Sequence, residues 1–214
     1  INDPVRWEGA EFVQQALTAG KGLVLLTPHL GSFEVAAQAY AERFGEQQPI
    51  SVLYRPARQA WLRELEETAR ARPHLATAPA NLAGVRQLMR ALRQGQTLGM
   101  LPDQVPPHGL GVWAPFFGET AYTMTLAPKL AQQSGAAVLT IFAERLPKGR
   151  GYAVRVAPLT DPLPPREGLT EDGWLTAAAA AINRSMEALI AQQPSQYLWG
   201  YHRYKQPRSM ENAS

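Results

Sequence analysis

The 214-residue chain is 45% hydrophobic and 18% charged, proportions of a globular chain and not of a disordered one, and its length suits one well-packed domain over residues 1–214. It contains no cysteine, which excludes disulfides and thiolate metal sites, and no apolar run approaches the ~18 residues that would span a bilayer. Net charge is +3 but uneven: from Tyr54 to Gln94 eight arginines face three glutamates, and only four of the 21 cationic residues are lysines. Planar guanidinium groups suit bidentate contact with phosphate or carboxylate, although a compositional preference for arginine gives the same count.

Short apolar runs alternate with helical patterns along the chain. Strands are expected at GLVLL (22–26), ISVLY (50–54), TLGML (97–101), AAVLTIF (136–142) and YAVRVA (152–157). Helices are expected between them at about 32–44, 57–72, 82–94 and 122–134, with a last one at about 173–192. In the third helix Val85, Leu88, Met89 and Leu92 follow the i, i+3, i+4, i+7 pattern, while Arg86, Arg90 and Arg93 form a second stripe. One stripe faces a core and the other faces water or a ligand. Pro128 fits a first helical turn or a kink. Near-continuous apolar strands separated by helices predict an α/β fold with a mostly parallel central sheet flanked by helices.

The connection from Pro102 to Thr120 has 19 residues and no periodic pattern. Structureless connections of that length are uncommon unless functional or disordered, and Trp113, Phe116 and Phe117 argue against disorder. The proline-rich stretch 157–168 reads as a surface excursion ahead of the last helix.

Three strand ends carry polar side chains. His29 follows LVLL by two residues, Arg55 follows SVLY directly, and Asp103 follows LGML after one proline. In a parallel sheet the carboxyl ends of the strands share one edge, where ligands bind. His29 and Glu34 are five residues apart, a spacing that puts them about 140° apart on a continuous helix. The spacing makes sense with His29 in a turn and Glu34 in the first helical turn, Gly31 allowing the tight turn and Ser32 capping the helix. Glu34 would then accept from one ring nitrogen and leave the other as a base, and the amides of the helix start would stabilise developing negative charge. A purely structural reading uses the same residues: a cap, a first-turn acid favoured by the helix dipole and a satisfied loop histidine.

Phosphate-loop, dinucleotide, zinc-protease and nucleophile-elbow patterns are all missing. His74 and His108 read as surface residues, and His202 lies in the aromatic, cationic cluster YLWGYHRYK (197–205), suited either to a membrane–water interface or to packing.

HLGSFE (29–34), YRP (54–56), LPDQ (101–104), PFFG (115–118) and the YHRYK tail (201–205) occur in this order. Together they make the chain resemble the bacterial lipid A lauroyl/myristoyl (late) acyltransferases, which are similar in turn to the glycerolphosphate acyltransferases in using an H-x4-D/E motif. The resemblance covers about residues 8–206 and implies a glycerolphosphate-acyltransferase-like fold. It implies that His29 is a general base and Glu34 its partner in moving a fatty acyl group from a thioester to a hydroxyl, with no metal and no cofactor. The donor would be acyl carrier protein or acyl-CoA, and the acceptor a lipid A precursor or similar phosphorylated glycolipid. The site would lie at a membrane surface, on the cytoplasmic face of the inner membrane, with no nucleic-acid partner. Arg55 and Asp103 would sit in or beside the active site. From residue type and position, Arg55 with Arg86 and Arg90 would hold lipid phosphates or an acidic carrier. Trp113, Phe116 and Phe117 would line an acyl groove or dip into the membrane. Family members usually carry an N-terminal membrane-spanning helix, so a chain beginning at Ile1 would be a trimmed one. Rival readings are an acyltransferase for another bacterial lipid, a hydrolase built on Ser32, His29 and Asp103, and a non-catalytic lipid-binding module.

Overall fold

A computed structural model describes residues 5–54, 59 and 72–209 of the chain. The first half contains β1 (Val5–Glu8), α1 (Ala10–Ala19), β2 (Leu23–Leu26), α2 (Phe33–Phe44), β3 (Ile50–Tyr54), β4 (Leu75–Pro79) and α3 (Leu82–Arg93). Then come β5 (Thr97–Met100), β6 (Gly111–Phe116), β7 (Glu119–Met124), α4 (Leu126–Ser134), β8 (Ala137–Arg145), β9 (Tyr152–Pro158) and α5 (Glu171–Gln192). The helix expected over 57–72 lies almost wholly outside the described residues.

Every residue of β2 is buried, as a strand covered on both faces requires. It sits at the centre of a seven-stranded sheet in the order β1-β9-β8-β2-β5-β3-β4. All neighbours run parallel except β8 and β9, which are antiparallel, so the expected mostly parallel α/β architecture is what forms. Alternation along the strands sorts their side chains into two cores. Leu23, Leu25, Ile50 and Val154 pack with Ala39, Tyr40 and Phe44 of α2 on one face. Val24, Leu26, Leu98 and Met100 pack with Leu88 and Leu92 of α3, Leu130 of α4, and Ile182, Met186 and Ile190 of α5 on the other.

Two expectations for the middle of the chain change. Residues 102–120 are not without regular structure, because β6 and β7 form an antiparallel hairpin within and just beyond that stretch. Helix α4 accordingly starts at Leu126 and not near 122. The period of two is present in β6, where Trp113 and Pro115 are exposed and Ala114 and Phe116 are buried. Pro115 speaks against a strand interior, and it is tolerated because this ribbon has only two strands. Phe117 (φ 47°) and Gly118 (φ 83°) make the tight turn, with positive φ at both central positions as the right-handed strand twist favours. Pro128 falls in the first turn of α4, where its missing N–H costs no helical hydrogen bond.

Helix α3 begins at Asn81, whose side chain accepts from the Gly84 N–H at 3.0 Å. Its first turn lies so close to β4 that a Cβ on Gly84 would come within 1.7 Å of the Pro79 carbonyl oxygen. Gly→Ala in a helix interior ordinarily stabilises by ~1 kcal/mol. Here overpacking against main chain reverses the sign, and Gly84→Ala is expected to lose about 1–3 kcal/mol, a fall in Tm of roughly 2–12 °C for a chain of this size, measured by circular dichroism.

Candidate active site

Strands β2 and β5 pair in parallel with Leu26 opposite Met100, and the Thr27 N–H extends the ladder to the Met100 carbonyl at 3.2 Å. His29 and Asp103 are each three residues beyond a paired position, and each follows a proline, in TPH and LPD. A residue before proline favours extended backbone, so both chains leave the sheet edge in the same way and arrive together. Asp103 Oδ1 is 2.7 Å from His29 Nδ1, and Oδ2 accepts the His29 backbone N–H at 2.8 Å. This double contact fixes the ring's position and its tautomer, with Nδ1 carrying the proton and Nε2 left as the acceptor. The amide of Gln104 approaches Nε2 at 3.2 Å.

Asp103 is only 2% exposed, so its charge depends on these donors. Two more groups face it from the C-terminal segment. The Tyr197 hydroxyl is held protonated, its pKa raised by burial first and then by the charge of Asp103 and a hydrogen bond to it. Arg203, 4% exposed, feels the Asp103 carboxylate, which partly offsets the downward push of burial on the guanidinium pKa. Arg203 donates to the Tyr122 carbonyl at 2.8 Å and to Thr123 Oγ1 at 2.7 Å, and lies over the Phe116 ring. Its Nε is buried with no partner among the described residues.

Past His29 the chain turns sharply into α2. Gly31 has φ +61°, and its amide and that of Ser32 donate to the carbonyls of Gln196 and Ala143 at 3.1 and 2.8 Å. Ser32 occupies the N-cap position, but its side chain makes no capping hydrogen bond. Glu34 falls in the first turn of α2. His29, Phe33 and Glu34 open onto a cleft of about 240 Å³ between α2 and the sheet, whose walls include Leu25, Ile50, Val52, Gly99, Met100 and Ile141. The His29 and Phe33 rings meet edge-on, centroids 5.1 Å apart.

The structure therefore brings His29 and Glu34 to one cleft, with Asp103 buried against His29 outside its lining, and distributes their contacts differently from the expectation. The carboxylate on the ring is that of Asp103, 74 residues away, and not that of Glu34, because strand register delivers Asp103 to Nδ1 while Gln104 stands at Nε2. Arg55 lies outside the described residues. Arg86 and Arg90 are exposed on α3, which packs on the sheet face opposite α2, so neither lines the cleft. Phe116 is buried in the α5-side core, whereas Trp113 and Phe117 are exposed. None of the three lines the cleft. Ser32 does not line it either, and no hydrogen bond joins it to His29 among the described residues. Sequence reasoning left Gln104, Tyr197, Tyr201 and Arg203 without a place in the site, although all four lie in quoted motifs. Among the described residues no helix is long and apolar enough to cross a membrane, and no group of three or more potential ligands forms a metal site.

The turn at Gly31 has room for nothing larger, since a Cβ there would lie 2.2 Å from the Ala143 carbonyl oxygen. Combining that clash with the left-handed backbone, Gly31→Ala is expected to lose at least ~2 kcal/mol, lowering Tm by about 4–8 °C and displacing His29, which a thermal melt and a histidine NMR spectrum would register.

Compared with known proteins, residues 1–206 match the family model for bacterial lipid A biosynthesis acyltransferases. The chain is 28% identical over 199 residues to the lipid A biosynthesis palmitoleoyltransferase of Escherichia coli K12, covering 92% of this chain and 60% of that protein. It is 26% identical over 204 residues to the lauroyltransferase of the same organism, covering 94% and 62%. A lipid A biosynthesis acyltransferase of Haemophilus influenzae matches at 24% over 191 residues, 89% of this chain and 56% of the relative. The chain thus spans about 60% of the length of the curated relatives it matches. A match over nearly its whole length, on a fold whose sheet edge joins the HLGSFE and LPDQ motifs, places this chain in the bacterial lipid A biosynthesis acyltransferase family.

Proposed function

We propose that the protein transfers a fatty acyl group from a thioester, carried on acyl carrier protein or coenzyme A, to a hydroxyl of a lipid A precursor or similar phosphorylated glycolipid. The observation that carries this reading is His29, held by the buried Asp103, in the lining of a largely apolar cleft. A sugar or hydroxyacyl hydroxyl is a poor nucleophile, and a neutral imidazole held by a carboxylate is suited to take its proton. The hydroxyl displaces the Gln104 amide from Nε2, gives its proton to that nitrogen and attacks the thioester carbonyl carbon. The tetrahedral intermediate collapses, the carbon–sulfur bond breaks, and the imidazolium returns the proton to the departing thiolate. Asp103 favours the imidazolium formed between these steps. The positive end of α2, whose first turn borders the cleft, is the nearest backbone source of stabilisation for the oxyanion. Glu34 lines the same cleft as His29 and is assigned to orienting the acceptor's hydroxyl groups.

The cleft's aliphatic walls suit part of an acyl chain. Beside the His29 loop, Leu198 (48% exposed), Trp199 (59%) and Phe117 (43%) form an apolar patch, with the Phe117 and Trp199 ring centroids 6.3 Å apart. Leu198 N–H donates to the His29 carbonyl at 3.0 Å, which joins this patch to the loop that carries the reacting group. Exposed aromatic side chains on a segment that also carries Lys205 suit the anionic surface of a membrane. We assign the protein to the cytoplasmic face of the inner membrane on this basis.

The test is an acyl-transfer assay with a panel of acyl thioesters and phosphorylated glycolipids. His29→Ala is expected to lower kcat by about 10²–10⁴-fold, the usual worth of a general base, and Asp103→Asn to fall in the same direction with substrate binding retained. Wild-type protein that moves no acyl group to any acceptor, or a fully active His29→Ala, would overturn the reading. A second measurement addresses the surface: Phe117→Ser combined with Trp199→Ser is expected to weaken cosedimentation with anionic phosphatidylglycerol vesicles while leaving the melting profile close to wild type.

A further inference from the structure

The chain from Gln196 to Tyr204, beyond α5, has no regular secondary structure except at its first residue, yet it touches both loops that carry the reacting pair. On the His29 side, the Gln196 carbonyl accepts the Gly31 N–H at 3.1 Å, Tyr197 bridges to Leu30, and the Leu198 N–H donates to the His29 carbonyl at 3.0 Å. The Gln196 side chain also exchanges two hydrogen bonds with the Arg145 backbone at the end of β8. On the Asp103 side, the Tyr201 hydroxyl accepts the Val105 N–H at 2.8 Å. Arg203 and Tyr204 then anchor the segment to the hairpin, through Tyr122, Thr123 and the Phe116 carbonyl.

We propose that this segment is a clasp that holds the His29 loop and the Asp103 loop in mutual register, with Tyr201 and Tyr197 as its positioning residues. The proposal rests on the reading of His29 and Asp103 as the reacting pair. Beyond Leu26 and Met100 the hydrogen bonds between the two loops, among the described residues, are the first rung of an extended ladder, the two contacts of the His29–Asp103 pair and the Gln104 approach to Nε2, so a shift of one loop opens the Nδ1 contact. Tyr201 is the residue whose hydroxyl ties the second loop to a segment already bound to the first. Tyr197, on that same segment, bridges to Leu30 next to His29, and its hydroxyl pKa is raised by burial and then by the nearby Asp103 charge. Among the described residues the ionisable groups near the pair are Tyr197, Tyr201 and Arg203 on the clasp, with Tyr204 beside Arg203, and Glu34 on α2, which lines the same cleft as His29.

Tyr201→Phe removes the acceptor for Val105 and keeps the ring against which Lys205 rests, and Tyr197→Phe removes the hydroxyl facing Asp103. Each is expected to lower kcat roughly ten-fold, the scale of losing a partner that orients a reacting histidine, with KM unchanged. In parallel, the low-field proton resonance of His29 Nδ1–H, identified by its loss in Asp103→Asn, is expected to weaken or move upfield. His202→Ala, an exposed change in the same segment, should leave kcat and the resonance as in wild type. A resonance that stays intact in both tyrosine variants overturns the clasp, whether kcat falls or not, and so does a lower Tm as their only change. The resonance also separates this proposal from the enzymatic one. If the wild type proves unable to transfer any acyl group, loss of the signal in Tyr201→Phe still supports the clasp and its persistence still refutes it.

Discussion

A carboxylate removed from water organises this end of the molecule. Burying an ionised acid is costly unless hydrogen bonds and charge replace its hydration, and Asp103 at 2% exposure is met by the backbone and ring of His29 and by Tyr197. Arg203 adds a buried positive charge nearby. None of these groups would be inexpensive to bury singly. Together they form a network whose members satisfy one another, and such networks favour one arrangement over near alternatives. The Arg203 Nε, left unpartnered, is the place where satisfaction is incomplete.

That network is possible because the sheet acts as a ruler. Parallel pairing of β2 with β5 sets Leu26 against Met100, and equal numbers of residues beyond that pair place a base and an acid at hydrogen-bonding distance. A register slip of one residue would exchange the faces of every side chain in the strand. The two cores, each complete on its own side, prevent that slip. Hydrophobic packing thus fixes the chemistry at the sheet edge indirectly, by fixing register. The α2 face of the sheet also leaves a gap beneath the helix, with Gly99 in its lining, so the reacting pair opens onto an apolar recess instead of solvent alone.

The C-terminal aromatic cluster shows how one short segment serves two surfaces. Tyr197, Tyr201 and Arg203 face inward to the loops and hairpin, while Leu198 and Trp199 face outward. An alternating inward and outward pattern gives no helical or strand periodicity strong enough to read, because the segment follows neither geometry for long. Its tyrosines and tryptophan suit an interface and a packed interior equally well, and both expectations apply to different residues of the same run.

The parallel α/β architecture, the identities of the central strands, the amphipathic α3 and the arrival of His29 and Asp103 at strand ends are legible in the order of the amino acids, since each of these rests on local periodicity or on a turn. That order did not reveal β4, whose Ala76 and Thr77 are exposed at the sheet edge, nor the β6–β7 hairpin, where Pro115 speaks against a strand and the turn rests on a left-handed Phe117. Which acid meets the histidine is set by contacts between distant parts of the chain. Glu34 is near in sequence, but helix geometry turns it along the cleft wall. Asp103 is far in sequence, and β-sheet register, which depends on which strands become neighbours, carries it to the ring.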